Sequence, residues 1–294
     1  MIITRPTVHH VDVFATGPLT GNGLGVFLDT EYWPAAAMQR LTREMRQFES
    51  VFLSEVEARG ATARVFTVDE ELPFAGHPVL GAAAVLHRTR AASIESCSWT
   101  LKLPHGHISV KTRNLGNCYR CEMDQGLPLF GGAVAAAALH PILSSLGLNV
   151  ADMVAGLTAQ VVSTGLPYLI VPLRPEALAR AAISGLALEA LLATVGAKFV
   201  LLLDVDGREM RTWDNLGQVE DVATGSAAGP AAAYLCSVGL VQAAVPIDLA
   251  QGRFAGRPSR IAVVQDPAGR LLVSGEVWPV SHGVLDFDPR AIEP

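Results

Sequence analysis

The chain has 294 residues, of which 50% are hydrophobic and 17% charged, so it can build one large or two medium domains and is not intrinsically disordered. Its formal net charge of −6 gives no general attraction for nucleic acid or for an anionic membrane. The first residues lack the features of a signal peptide, and no apolar stretch is long enough to span a membrane. We therefore expect a cytoplasmic protein without nucleic-acid or membrane partners.

The first predicted elements are two strands and a helix. Residues 8–15 and 24–28 have strand-like patterns and flank a turn at Gly21-Asn22-Gly23, which indicates a hairpin-like opening. Pro34 suits a helix start. The spacing of four apolar residues predicts one buried helical face: Met38, Leu41, Met45 and Phe48.

Glu49 stands where this helix gives way to an apolar strand, Val51-Phe52-Leu53. A carboxylate at such a junction is expected to be partly buried, which suits proton transfer. A solvated glutamate at a helix end is the alternative, and the local pattern alone favours it.

The remaining pattern predicts many strands and few helices. Further strands are expected at 63–67, 99–103, 108–111, 117–123, on both sides of 165–167, and at 199–205, 208–213, 261–264, 271–280 and 282–287. Residues 130–148 are expected to cross between halves and then form a helix, and 175–195 to be helical. Without regular strand–helix alternation, the fold class is α+β. We expect an N-terminal half at 1–128, joined by the strand 281–294, and a C-terminal half at 129–280.

Two small-residue helices support this division. Residues 75–86 align without gaps with 224–235 at an offset of 149 residues, near half the chain length. A carboxylate pair precedes each, Glu70-Glu71 and Glu220-Asp221, and Thr20-Gly21 is echoed by Thr164-Gly165. A repeat of this period predicts two similar halves.

The starts of these helices are the candidate binding elements. Pro78 suits a first helical turn, and the free N–H groups at a helix start can bind an anion. Gly76 lets the backbone approach a ligand, while His77 would be neutral there because the helix dipole disfavours imidazolium. A structural histidine in a turn is the alternative for His77. Asp221 precedes Thr224-Gly225-Ser226, which would either cap the helix or hold a substrate carboxylate.

The remaining motifs give little evidence for a metal or cofactor site. The four cysteines include Cys118-Tyr119-Arg120-Cys121, but no second pair completes a zinc site, and His105-x-His107 lacks a third ligand. No dinucleotide fingerprint or P-loop is present. We expect neither a metal nor an organic cofactor.

The chain resembles the PhzF-like phenazine biosynthesis family, which has the diaminopimelate epimerase fold. Six segments carry the resemblance: 11–14 with 21–22, 38–49, Glu71-Leu72-Pro73-Phe74-Ala75-Gly76-His77-Pro78, 164–167, Glu220-Asp221-Val222-Ala223-Thr224-Gly225-Ser226-Ala227, and 251–259. The resemblance implies two similar halves, each a mostly antiparallel sheet around a central helix, with the active site in the cleft between them. It also implies a homodimer without cofactors.

The best understood enzymes of the family isomerise trans-2,3-dihydro-3-hydroxyanthranilate by moving a proton and shifting a double bond. The resemblance places the catalytic acid/base on Glu49, the active-site histidine on His77 and the substrate-contacting aspartate on Asp221. Backbone donors to the substrate fall on Gly76, Gly225 and Ser226. The substrate is expected to be a small carboxylate.

The sequence departs from the family pattern at Phe48, Val222 and Gly23, where a small polar residue and two prolines are usual. Phe48 puts the substrate in question. Two alternatives stay open. One is an amino-acid epimerase or racemase, but the absence of a cysteine from both helix starts argues against it. The other is a non-catalytic small-molecule binder.

Overall fold

A computed structural model of the chain describes residues 6–73, 76–104, 106–183, 188–214 and 217–292. These residues form a mixed α+β protein that is richer in strands than in helices. The chain divides into two compact units, the first made of Met1–Asp124 with Ser274–Pro294 and the second of Gln125–Val273. The chain therefore passes from the first unit into the second, and its last residues return to the first unit.

Strands provide most of the regular structure. In chain order they are β1 (Thr7–Val13), β2 (Asn22–Leu28), β3 (Glu49–Glu57), β4 (Gly60–Thr67), β5 (Glu71–Leu72), β6 (Ser96–Leu103), β7 (Gly106–Asn114), β8 (Tyr119–Asp124), β9 (Leu129–Ala133), β10 (Gln160–Ser163), β11 (Pro167–Leu173), β12 (Phe199–Asp204), β13 (Glu209–Thr212), β14 (Ile247–Gln251), β15 (Ser259–Gln265) and β16 (Leu271–Val284). The α-helices are α1 (Ala35–Met45), α2 (His77–Arg90), α3 (Ala136–Ser145), α4 (Pro175–Arg180), α5 (Leu188–Ala193) and α6 (Gly225–Ser237).

Strand pairing in the first unit is mostly antiparallel. β1 pairs antiparallel with β2 and with residues 277–284 of β16, and β3–β4, β6–β7 and β7–β8 are also antiparallel. Two pairs are parallel, β2–β3 and β4–β6. Each parallel pair is joined by a helix, α1 and α2 respectively, because a parallel connection needs a crossover.

The second unit has the same succession of strand directions. β10–β11 is antiparallel, β11–β12 parallel, β12–β13 antiparallel, β13–β14 parallel and β14–β15 antiparallel. Helices α4 and α5 join the first parallel pair, and α6 joins the second. Helices α2 and α6 thus occupy the same place in the two sequences of elements.

Both of these helices are buried over most of their length. Residues 77–87 of α2 are buried, and the helix packs against β1, β2, β3, β6, β7 and β8. Small residues permit this approach: a Cβ added to Gly81 would lie 2.4 Å from Leu24 Cδ2. In α6, residues 227–235 are buried against β10, β11, β12 and β15.

Helix α1 begins directly after Pro34, as predicted, and buries Met38 and Leu41 on a cluster that includes Phe27 and Phe52. The predicted helical face does not extend to Phe48. The helix ends at Met45, its C-cap residue Arg46 has a left-handed φ of 52°, and Phe48 is 36% exposed. The reversal at Arg46 takes Phe48 out of the helical register.

Two further predictions need correction, and one strand was not predicted. The helix predicted over 175–195 is interrupted after Arg180, where the carbonyls of Leu178 and Ala181 accept hydrogen bonds from Arg211 instead of continuing the helix. Strand β14 was not predicted. The strands predicted at 271–280 and 282–287 are one strand, β16, which ends at Val284.

Candidate active-site residues

Glu49 is the first residue of β3, and the sheet register decides which way it faces. It lies opposite Leu24 in the parallel pair β2–β3, and Leu24 packs on Gly81 of α2. Since opposite residues point to the same face of a sheet, the Glu49 side chain points to the face that α2 covers. Its side chain is 18% exposed, which confirms the predicted partial burial.

His77 is the first residue of α2 and meets Glu49. The distance from His77 Nδ1 to Glu49 Oε2 is 3.5 Å, and the histidine side chain is 9% exposed. Gly76 is the N-cap residue and offers no side-chain cap, while Pro78 lies in the first turn as predicted. Phe74 and Ala75, which precede this start, lie outside the described residues.

Burial lowers the pKa of His77 to about 3. The imidazole is therefore neutral near pH 7, and its contact with Glu49 is not an ion pair. A contact with an ionised carboxylate is favourable when Nδ1 carries the proton, because the carboxylate only accepts. Nε2 then presents a lone pair, and it has no hydrogen-bond partner among the described residues. The pair joins a carboxylate to a neutral histidine that can still accept a hydrogen bond at Nε2.

The second set of predicted residues surrounds the start of α6. Asp221 Oδ2 accepts a hydrogen bond of 2.5 Å from Thr224 Oγ1, and the Asp221 N–H donates to Thr212 O. Thr224 is the N-cap residue, yet its hydroxyl makes no capping bond to the helix. The hydroxyl is directed to Asp221 instead of capping the helix.

Ser226 and Gly225 are each tied to a neighbouring strand or loop. Ser226 Oγ lies 2.7 Å from the Tyr168 hydroxyl of β11, and Gly225 O accepts from Gln125 Nε2 at 2.8 Å. These bonds use the Ser226 side chain and the Gly225 carbonyl. The N–H groups of both residues lie in the first turn of α6, where α-helices leave such donors unpaired.

A bidentate arginine holds one glutamate ahead of each helix. Arg64 donates to both carboxylate oxygens of Glu71 at 2.7 and 2.6 Å, and Arg211 does the same to Glu220 at 2.8 and 2.6 Å. Each guanidinium also lies over the aromatic ring two residues further on, Phe66 or Trp213. One carboxylate of each sequence pair is therefore an anchor for the loop.

Sequence reasoning missed these anchors and the role of Gln251. Its side chain bonds Asp221 O, Thr224 N and Thr224 Oγ1. A signal for the anchors was present, since Arg64-x-Phe66 and Arg211-x-Trp213 recur at an offset of 147 residues. Gln251 lies in the segment 251–259 that carries part of the family resemblance, but no local pattern indicated its contacts with Asp221 and Thr224.

The cysteines lie away from both helix starts. Cys97 lies on β6, Cys118 precedes β8, Cys121 lies on β8 and Cys236 is near the end of α6. Burial raises the pKa of Cys118 to about 11 and that of Cys121 further, so neither thiol is ionised near neutral pH. Within the described ranges, no three His, Cys, Asp or Glu side chains are grouped to hold a metal ion, and His105 lies outside those ranges. None of the described helices is long and apolar enough to cross a membrane.

Comparison with known proteins gives consistent matches along most of the chain. The model of the family described as phenazine biosynthesis-like protein matches residues 11–283. A trans-2,3-dihydro-3-hydroxyanthranilate isomerase of Pseudomonas fluorescens is 34% identical over 274 residues, which cover 91% of this chain and 93% of that protein.

Solved structures share the fold. A predicted epimerase from Pseudomonas aeruginosa is 48% identical with a TM-score of 0.90, covering 97% of this chain and 100% of the other. A probable proline racemase from Agrobacterium radiobacter has a TM-score of 0.59 at 12% identity, covering 97% of this chain and 94% of the other.

Proposed function

The chain belongs to the phenazine biosynthesis-like PhzC–PhzF family and is an isomerase, and from this premise we propose that it moves a proton and shifts a double bond in a small cyclic amino-acid-like carboxylate. The name of the Pseudomonas fluorescens relative supports trans-2,3-dihydro-3-hydroxyanthranilate as the substrate to test first. The observation that carries the proposal is the half-buried Glu49 carboxylate beside the neutral, buried His77.

In the proposed reaction Glu49 is the general acid/base. Its carboxylate takes a proton from one ring carbon, the electron pair moves into the ring and shifts the double bond, and the proton is returned to the carbon at the other end. Substrate and product are isomers, so the step needs no oxidant, reductant or co-reactant. A partly buried carboxylate suits this work because the same group can take up a proton from one carbon and return it to another.

His77 and the start of α6 have binding roles in this proposal. The Nε2 lone pair of His77 accepts a hydrogen bond from a substrate N–H or O–H group. Asp221 orients a polar substrate group, and the N–H groups of Gly76, Gly225 and Ser226 bind the carboxylate, which a helix N-terminus favours. That a single substrate contacts both sets of residues stays a prediction.

We also propose that the two units are similar halves, each built around its buried helix, α2 or α6. The shared succession of strand directions and the two arginine–glutamate anchors support this. A homodimer in the cytoplasm remains part of the proposal, and sedimentation velocity of the purified chain tests the dimer.

A second candidate activity is amino-acid epimerisation, favoured by the description of the 48% identical structure as a predicted epimerase. A two-base epimerase with thiols would need cysteines at the helix starts, where this chain has His77 and Ser226. Exchange of the Cα proton of free amino acids in D₂O, measured by proton NMR, would support this activity over the leading one.

The leading proposal is tested by proton NMR of trans-2,3-dihydro-3-hydroxyanthranilate in D₂O. We expect isomerisation with deuterium incorporation, lost in Glu49→Gln. Glu57→Gln is the matched control, since Glu57 lies exposed at the far end of the same strand and pairs with Lys102. Full turnover by Glu49→Gln would remove Glu49 from the mechanism, and no turnover by the folded wild type would reject this substrate.

A further inference from the structure

The side chain of Gln251 joins both ends of the loop that carries Asp221. Gln251 ends β14 and is 1% exposed. Its Nε2 lies 2.8 Å from Asp221 O and 3.0 Å from Thr224 Oγ1, and its Oε1 lies 2.9 Å from Thr224 N. One neutral amide thus contacts Asp221 in the loop and Thr224, the N-cap residue of α6.

These bonds can be arranged in only one direction. The Thr224 N–H can only donate and the Asp221 carbonyl can only accept, so the Gln251 oxygen faces the first and its NH₂ the second. The NH₂ group therefore also donates to Thr224 Oγ1. The single proton of the Thr224 hydroxyl is then left for Asp221 Oδ2, at 2.5 Å. Gln251 therefore donates a hydrogen bond to the Thr224 hydroxyl, and this hydroxyl donates one to the Asp221 carboxylate.

We propose that Gln251 is a positioning residue that acts through Thr224: it fixes the Asp221 carboxylate and occupies the Thr224 N–H, which leaves the N–H groups of Gly225 and Ser226 as the helix-start donors for the substrate. This inference rests on the proposed role of Asp221. It requires a neutral donor at position 251, because a carboxylate there could neither donate to Thr224 nor approach Asp221 without repulsion.

The backbone around Gln251 is built to hold this loop. Ser259 Oγ donates to Val222 O at 2.9 Å, and it also lies 3.2 Å from Gln251 O. Gly252 has φ +81°, and a Cβ there would lie 2.2 Å from Arg257 O and 2.5 Å from Val222 O. Residues 251–259, which carry part of the family resemblance without containing a predicted site residue, thus support the Asp221 loop.

Two pairs of variants of the full-length protein test the hydrogen bonds from Gln251 to Thr224 and from Thr224 to Asp221. Thr224→Val removes the hydroxyl at nearly constant shape, and Thr224→Ser keeps it. Gln251→Glu replaces the donor by an acceptor, and Gln251→Met removes both. We expect kcat/KM to fall about tenfold to a hundredfold in Thr224→Val and in both Gln251 variants, as for lost hydrogen bonds to a charged group, and to be restored in Thr224→Ser.

A double variant and a structural control separate positioning from general stability. Gln251→Met combined with Thr224→Val should lose little more kcat/KM than either alone, because both break the same chain of bonds. Ser259→Ala removes the hydrogen bond to Val222 O in the same loop but none of this chain of bonds, so its unfolding midpoint should fall while kcat/KM stays within about threefold. Additive losses, or equal losses in Thr224→Ser and Thr224→Val, would overturn the proposal.

A measurement without turnover keeps this inference separate from the proposed function. Amide hydrogen exchange of Thr224, followed by NMR, should be about tenfold faster in Gln251→Met, since its N–H loses its acceptor. Unchanged exchange would reject the role of Gln251 whether or not the protein isomerises the dihydro acid. Faster exchange with no turnover by the wild type would support the hydrogen-bond chain and reject only the substrate.

Discussion

At the scale of single residues, the candidate site depends on a histidine that the fold keeps neutral. Burial lowers the pKa of His77 to about 3 from the ordinary 6.5. Between these two values the unfolded chain binds a proton that the folded chain does not. The folded state therefore loses stability as the pH falls from about 6.5 towards 3, because His77 is protonated only in the unfolded chain over this range.

We predict that His77→Gln removes part of the acid sensitivity of the protein. Wild type should lose about 2 kcal/mol more unfolding free energy than the variant between pH 7 and pH 5. Urea unfolding at the two pH values measures this, with His140→Gln, an exposed histidine, as control. Equal losses in wild type and His77→Gln would mean that His77 is not held neutral.

Residue-level prediction succeeded where a local signal existed. The helix start after Pro34 and the place of His77 at the first turn of α2 follow from composition and spacing, whereas for Glu49 the local pattern alone favoured a solvated side chain. The 3.5 Å contact between Glu49 and His77 does not follow from local pattern, because it depends on the parallel register of β2 and β3 and on the packing of α2. The direction of the Thr224 hydroxyl likewise depends on Gln251, which is 27 residues away in the chain.

At the scale of elements, an arginine–glutamate pair anchors each of the loops that precede α2 and α6, but the two pairs differ in how deeply they are buried. The side chains of Arg64 and Glu71 are 32% and 31% exposed, whereas those of Arg211 and Glu220 are 8% and 15% exposed. Arg211 also donates to two backbone carbonyls, and its guanidinium lies over the rings of Trp213 and Phe254. Solvent screens the first pair far more than the second.

We predict unequal losses when each arginine is replaced by methionine. Arg211→Met leaves a buried carboxylate without its partner and should cost about 3–5 kcal/mol of unfolding free energy. Arg64→Met should cost about 1 kcal/mol or less, as exposed pairs do. Urea unfolding of the two variants gives the comparison, and a larger loss for Arg64→Met would contradict the role of burial.

Element prediction was most accurate for short strands next to glycine or proline, such as β10 and β11 around residues 165–167. It failed where side chains distant in sequence decide the backbone. The interruption after α4 depends on Arg211, which is 30 residues away from the Ala181 carbonyl that it binds. Strand β14 alternates between buried and exposed residues, so its pattern was present but not used.

At the scale of the whole molecule, the first unit is completed by a strand from the far end of the chain. Residues 277–284 of β16 pair with residues 7–13 of β1, which also pairs with β2. Val277 is fully buried in this arrangement, opposite the equally buried Val13. The sequence predicted that a strand near the C-terminus joins the N-terminal half, but the register, with its irregularity at Val11, required the structure.

We predict that a chain ending at Val273 loses the protection of β1 against amide exchange, because β1 becomes an edge strand without its β16 partner. A chain ending at Val284 keeps the strand and serves as the control. Hydrogen exchange of residues 7–13, followed by mass spectrometry, measures the difference. Equal protection in the two chains would show that β16 does not support β1.

This pairing sets an order of events during translation. All residues of the second unit are synthesised before residues 274–284 of β16, so the sequence of that unit is complete first. The first unit begins with the earliest residues but waits for nearly the last ones, a contact of very high sequence separation. We therefore expect a chain held on the ribosome by a linker long enough to expose all residues up to Val273 to contain a folded second unit and an unfinished first one. Isomerase activity should appear only when residues 274–284 are also present and exposed.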